Sequence, residues 1–164
     1  MHCMIPDLLK SELAARVALA VTPREAAVDV MKELQRHYGW LTDEAVGEAA
    51  ELLGLTPLQV EELATFYEMI YRRPVGTRVI HFCYSISCWS MGSDRVMAHL
   101  QERLGIGPGE TTLDGMFTLV PCCCLGNCGD GPSITAGDTL YGKLTPERVD
   151  EIVAAEREFE APKL

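Results

Sequence analysis

No apolar run in the sequence approaches the roughly 20 residues that a membrane-spanning helix requires, so we expect no direct insertion into a membrane. The first residues lack the charged start and apolar stretch of a secretory signal. Basic residues are scarce as well: 14 Lys and Arg stand against 24 Asp and Glu, for a net charge of −10. This negative charge disfavours binding to nucleic acid and favours a protein partner. From the missing secretory signal we expect the protein in the bacterial cytoplasm.

Nucleotide-binding motifs are missing too. The glycine-rich stretch 105–109 follows a predicted helix instead of a strand and contains Pro108, which is not the context of a nucleotide loop. No Rossmann or phosphate-loop fingerprint occurs elsewhere, so we expect the isolated chain to bind neither NADH nor a flavin. The C-x-x-C motif is also missing, which disfavours a dithiol redox protein.

What the sequence does contain is seven cysteines, six of them in two groups in its second half. Because the cytosol keeps ordinary thiols reduced, they do not indicate a disulfide framework. Cys83-x4-Cys88 and Cys124-x3-Cys128 are separated by residues 89–123, and such paired groups are typical of a site with four thiolate ligands. A structural zinc module is the alternative, but zinc sites favour tighter C-x2-C knuckles. The wider loops favour a [2Fe–2S] cluster that passes single electrons.

The spacing leaves the ligand set open at one position. Cys123 lies five positions before Cys128, so the second pair could also be C-x4-C. Otherwise Cys122 and Cys123 are interpreted as small side chains that line the site. His81 alternates with Cys83 along a predicted strand and is a possible nitrogen ligand.

Helix signals dominate the first part of the chain. Residues 22–25 and 56–59 each show Thr-Pro followed by Glu or Gln three positions after the Thr, which predicts a capping box and a helix start. Thr42 is predicted to cap a helix that runs to Leu53, with Gly54 as its left-handed C-terminal residue. We predict a bundle of three or four short helices.

A change of composition follows Pro74 and Gly76, which break the helical pattern. We predict an N-terminal helical domain over residues 1–75 and a second domain over 76–164. The second has the order of an α+β fold, with helices packed on a small mixed sheet and both cysteine groups in loops at one end of that sheet. The predicted strands are 77–82, 116–120, 133–136 and 139–141, and the predicted helices are 93–104 and 145–159.

Several motifs together resemble the E subunit of bacterial NADH-quinone oxidoreductase, respiratory complex I. They are the two cysteine spacings, the segments 114–119, Cys124-Leu125-Gly126-Asn127-Cys128 and Gly131-Pro132, and upstream Gly39-Trp40, 64–67 and 74–76. The resemblance covers nearly the whole chain. It implies a thioredoxin-like ferredoxin domain behind the helical domain, with one [2Fe–2S] cluster per chain. The implied ligands are Cys83, Cys88, Cys124 and Cys128, so the resemblance favours Cys124 over Cys123.

The resemblance also implies a partner and a place. In the family this protein docks on the F subunit, a flavoprotein that binds NADH and FMN, among other subunits of the peripheral arm. The implied role is to exchange single electrons with that FMN, as part of an NADH dehydrogenase held at the cytoplasmic side of the bacterial inner membrane. Related subunits occur in NAD-linked hydrogenases and formate dehydrogenases, so the equivalent subunit of one of those enzymes is the alternative.

Overall fold

The structure is a computed structural model that describes residues 5–158. Within these residues the chain forms two compact units, one ending at Pro74 and the other beginning at Val75. None of the described helices is both long and apolar enough to cross a membrane. Four helices precede a four-stranded sheet with its own helices, which confirms the predicted α+β class.

The first unit is a bundle of four helices around one apolar core. They are α1 (Asp7–Leu19), α2 (Pro23–Tyr38), α3 (Asp43–Leu53) and α4 (Pro57–Phe66). Val30, Met31 and Leu34 of α2 are fully buried at helical spacing. They pack in a single cluster with buried side chains of the other three helices, so this unit carries its own hydrophobic core.

Two of the predicted helix caps are confirmed. The Thr42 hydroxyl accepts a hydrogen bond from the Ala45 amide at 3.1 Å, and α3 ends at Gly54 in the left-handed region with φ 62°. Thr56 and Gln59 form the reciprocal capping box. These local contacts fix where α3 ends and α4 begins.

The third predicted cap is wrong. The Thr22 side chain makes no capping hydrogen bond at the start of α2. The Glu25 carboxylate instead accepts from the Val21 amide at 3.0 Å, one residue before the expected position. The glutamate therefore satisfies a backbone donor outside the helix, and the box is not closed.

The second unit is built on a mixed sheet of four strands. These are β1 (Arg78–Cys83), β2 (Phe117–Cys122), β3 (Ile134–Ala136) and β4 (Thr139–Tyr141), in the order β2-β1-β3-β4. β1 pairs with β2 in parallel and with β3 antiparallel, and β3 and β4 form the predicted antiparallel hairpin. Because β1 and β2 are parallel neighbours, their C-terminal residues lie at the same end of the sheet.

Three helices accompany the sheet. The short α5 (Ile86–Ser90) follows β1 directly, and α6 (Ser93–Leu104) completes the crossover to β2. The last helix, α7 (Pro146–Arg157), packs with α6 and the sheet around a second apolar core. The buried members of that core include Ile80, Phe117, Leu100 and Ile152. α5 was not predicted, since its five residues are too few to show helical periodicity.

The parallel pair β1 and β2 positions the cysteines. Their register places Cys83 opposite Cys122, so each strand ends where a cysteine group begins. Two backbone hydrogen bonds extend this edge: the Cys83 amide donates to the Ser133 carbonyl, and the Tyr84 amide donates to the Cys122 carbonyl, both at 3.2 Å. Both groups therefore lie at one end of the sheet.

A buried ion pair ties α7 to the other end of β1. The guanidinium of Arg78 pairs with the Glu156 carboxylate, and their side chains are only 12% and 6% exposed. Arg78 also donates to the Ala136 carbonyl at 3.1 Å, and the Tyr141 hydroxyl donates to Glu156 at 2.8 Å. One network thus joins β1, β3, β4 and α7.

Candidate metal centre

The first two cysteines are held close together below the surface. Cys83 is the last residue of β1 and is 3% exposed, while Cys88 lies within α5 and is 1% exposed. The turn between them brings Ser85 Oγ to 3.2 Å from Cys83 Sγ. Strand and helix therefore present two thiols to the same small volume.

The two thiols have pKa values shifted in opposite directions. Burial raises the pKa of Cys88, and the neighbouring Cys83 raises it further. Burial also acts to raise the pKa of Cys83, but hydrogen bonds from the Ser85 side chain and from the Ser85 and Leu125 backbone outweigh it and lower the pKa. Cys83 is thus the thiol of the pair that more readily becomes a thiolate, the form that binds metal.

Cys124 and Cys128 lie in the second cysteine loop, residues 123–131, and both are exposed. Gly126 adopts φ 76°, a conformation that favours glycine, and its amide donates to Cys124 Sγ at 3.3 Å. Cys128 opens a single 3-10 turn that ends at Asp130. The loop therefore directs a backbone amide toward one of its own sulfurs.

Contacts from residues that flank β3 and β4 hold this loop in place. The Asn127 side-chain amide donates to Ser133 Oγ at 3.1 Å, and the Lys143 amide donates to the Asp130 carbonyl at 2.6 Å. A Cβ atom added at Gly142 would lie 2.6 Å from that same carbonyl oxygen. The close approach explains why glycine stands there.

The two groups meet at two points. Cys83 Sγ lies 3.8 Å from the Cys123 carbonyl oxygen, directly before Cys124 in the chain. At the other point a Cβ atom added at Gly131 would lie 3.3 Å from Cys88 Sγ, so the loop backbone packs on that sulfur. Both buried cysteines therefore touch the loop that carries the two exposed ones.

Among residues 5–158, no three His, Cys, Asp or Glu side chains come together in an arrangement that could hold a single metal ion. The chemical fit to a cluster rests on the donor set instead. Thiol groups on two neighbouring loops, with backbone N–H groups directed at Cys83 and Cys124, are the kind of environment that suits an anionic iron–sulfur centre.

The neighbouring candidates have other partners. Cys123 Sγ lies 3.1 Å from the Tyr84 hydroxyl, and Cys122 is buried at the end of β2. His81 is fully buried, with Nδ1 at 3.3 Å from Thr135 Oγ1. These side chains are engaged within the fold beside the cysteine groups.

The sequence does not predict the exposed apolar side chains of segment 84–91, which begins directly after Cys83 and contains Cys88. We call them the apolar rim: Tyr84, Ile86, Trp89 and Met91, each between 45% and 75% exposed. Apolar and polar residues that alternate in a short turn have no characteristic period, so the sequence pattern does not predict this surface. Four such side chains within eight residues are a local signal for an interaction surface.

Comparison with known proteins identifies the relatives of this chain. The family model described as thioredoxin-like [2Fe–2S] ferredoxin matches residues 12–157. The E subunit of NADH-quinone oxidoreductase from Escherichia coli K12 is 43% identical over 131 residues, which are 80% of this chain and 79% of the relative. The Pseudomonas aeruginosa protein of the same name is 41% identical over 133 residues, 81% of this chain and 80% of the relative.

A solved structure has the same fold. The crystal structure of an NAD+-reducing [NiFe]-hydrogenase in the air-oxidized state matches 78% of this chain with a TM-score of 0.66 and 21% sequence identity. The match spans 22% of the hydrogenase chain. At this identity the likeness concerns the fold alone.

Proposed function

The chain belongs to the thioredoxin-like [2Fe–2S] ferredoxin family, and from this membership we propose that it is the E subunit of an NADH-quinone oxidoreductase. Its cofactor is a [2Fe–2S] cluster. When bound, this cluster would supply a one-electron centre for exchange with FMN on the F subunit, the flavoprotein of the complex. The observation that carries the proposal is 43% identity to a named E subunit over 80% of the chain, with both cysteine pairs at one edge of the sheet.

The proposed ligands are Cys83, Cys88, Cys124 and Cys128. When bound, the cluster supplies a one-electron redox centre, and the protein supplies position and electrostatics. β1 and α5 hold the first two sulfurs, and the loop amides of Leu125 and Gly126 face Cys83 and Cys124. These amides stabilise negative charge on the sulfurs and so oppose the effect of the acidic chain on reduction.

Cys124 is the proposed third ligand in preference to Cys123. The Gly126 amide points at Cys124 Sγ, as expected for a sulfur that carries charge. The Cys123 sulfur instead meets the Tyr84 hydroxyl. This geometry supports the ligand register that the family resemblance favours.

A protein partner is proposed at the apolar rim. Electron transfer requires a close approach to the cluster, and the rim places exposed apolar side chains beside the first cysteine pair. A cytoplasmic-side flavoprotein within the membrane-associated complex is the proposed partner. We also propose that residues 1–75 and 76–164 are separate domains, which the division into compact units at Pro74 and Val75 supports.

Metal content and spectroscopy test the cofactor and its ligands. The purified full chain is expected to be red-brown, with about two irons and two sulfides per chain and a paramagnetic signal on one-electron reduction. A colourless protein that holds about one zinc would contradict the proposal and support a structural zinc module.

Co-purification tests the partner. The tagged chain is expected to isolate a flavoprotein with FMN, and Trp89→Asp is expected to weaken that association because it places a charge in the apolar rim. Leu113→Asp is the matched control, since Leu113 is fully exposed and lies outside the rim. Isolation of hydrogenase or formate dehydrogenase subunits would assign the chain to those assemblies instead.

A further inference from the structure

Ser85 has an unexpected side-chain orientation. It is the residue before α5, at the N-cap position where a serine hydroxyl ordinarily accepts a hydrogen bond from the helix backbone. Its side chain makes no such bond. Ser85 Oγ lies 3.2 Å from Cys83 Sγ instead, within hydrogen-bond distance for sulfur.

When Cys83 is a metal-bound thiolate, the donor and the acceptor of this hydrogen bond are fixed. A thiolate has no proton to donate, so the Ser85 hydroxyl must be the donor. The Cys123 carbonyl oxygen, 3.8 Å from Cys83 Sγ, can only accept hydrogen bonds and therefore cannot donate one to the thiolate. The Ser85 backbone meanwhile begins α5, since its carbonyl accepts from the Trp89 amide at 2.8 Å.

We propose that Ser85 is a positioning residue that tunes the cluster: its hydroxyl donates a hydrogen bond to the Cys83 thiolate and raises the reduction potential. The inference rests on the proposed function, because it requires Cys83 to be a cluster ligand. Ser85 acts through Cys83 and does not itself bind iron.

The direction follows from charge. Reduction adds an electron to a cluster that is already anionic, and part of the added charge resides on the cysteine sulfurs. A hydrogen bond to such a sulfur stabilises the reduced state more than the oxidised state, so it raises the potential. Loss of the hydroxyl therefore makes the cluster harder to reduce.

The experiment is a redox titration of the full chain, monitored by electron paramagnetic resonance, with iron and sulfide content measured on every sample. Ser85→Ala is expected to shift the midpoint potential to a more negative value at unchanged metal content. Ser90→Ala is the matched control, because its hydroxyl contacts the Ser87 carbonyl at 2.9 Å in the same segment, and it is expected to titrate as the wild type.

A second pair removes the effect of size. Ser85→Thr and Ser85→Val have side chains of the same shape and differ in the hydroxyl alone. The Thr variant is expected to keep a potential near that of the wild type, and the Val variant to follow Ser85→Ala. This pair decides the matter if Ser85→Ala does not fold.

The outcomes separate this inference from the proposed function. A wild-type chain that takes up no two-iron cluster overturns both. Clusters that assemble in all variants with equal potentials overturn the inference alone. Loss of the cluster in both Ala and Val variants, with retention in Thr, would also overturn it, since the hydroxyl would then serve assembly and not tuning.

Discussion

Glu156→Ala is expected to destabilise the second unit strongly. The change leaves the Arg78 guanidinium, only 12% exposed, without its carboxylate, and removes the acceptor of the Tyr141 hydroxyl. Breaking one side of a buried pair costs about 3–5 kcal/mol, and loss of the tyrosine hydrogen bond adds about 1 kcal/mol. We therefore expect the free energy of unfolding to fall by about 4–6 kcal/mol.

Urea unfolding followed by circular dichroism measures this loss. Glu151→Ala is the matched control, because Glu151 lies on the same helix and is exposed, and it is expected to change stability by less than about 0.5 kcal/mol. The double variant Arg78→Met with Glu156→Leu leaves no buried charge unpaired. It is therefore expected to be more stable than Glu156→Ala alone.

Two results would refute this reasoning. A loss for Glu156→Ala no larger than that of Glu151→Ala would mean that the buried pair contributes nothing to folding. A double variant at least as unstable as Glu156→Ala would mean that the unpaired charge is not the cause of the loss. Either result would show that this network does not stabilise the packing of α7 on the sheet.

Three further predictions concern the candidate site and the residues that support the second unit. Cys124→Ser is expected to lose the cluster while Cys123→Ser keeps it, and the reverse in iron content would exchange the two ligands. Hydrogen bonds, the strongest from the Thr112 hydroxyl, lower the pKa of Asp114 to about 2, so Thr112→Val is expected to raise the Asp114 pKa in a carbon-13 carboxyl titration. The stability that this lowered pKa contributes is present above the ordinary carboxyl pKa and is lost as the pH falls through about 2. Gly142→Ala would place Cβ 2.6 Å from a carbonyl oxygen of the second cysteine loop and is expected to cost about 1–3 kcal/mol in urea unfolding, with lower iron retention; equal values to the wild type would contradict the packing.

Strong local signals were predictable from the sequence. The β-prone run that ends at Cys83 and the Thr42 and Thr56 caps depend on neighbouring residues, and the structure places them as expected. The meeting of the two cysteine groups follows from parallel strands that end at one edge. The four-thiolate ligand set stays a prediction.

Details that depend on competition between partners were not predictable. Thr22 and Ser85 both stand at helix starts where a hydroxyl cap is favoured, yet neither caps. At Thr22 the neighbouring Glu25 bonds a different amide, and at Ser85 the hydroxyl lies against Cys83. Both competing contacts join residues only four and two positions apart, and residue preferences alone do not decide which local hydrogen bond forms.

The parallel pairing of β1 and β2 has a consequence for engineering. The first cysteine group lies at the start of the crossover that contains α5 and α6, and the second follows β2, the strand to which the crossover leads. They are therefore neighbours only after the crossover has folded and β2 has paired with β1. A peptide cut from either end would carry half of the sulfurs. To transfer this centre to another scaffold, the whole segment from β1 to the second cysteine loop must be transferred together. A zinc knuckle, in contrast, can be transferred as a single short loop.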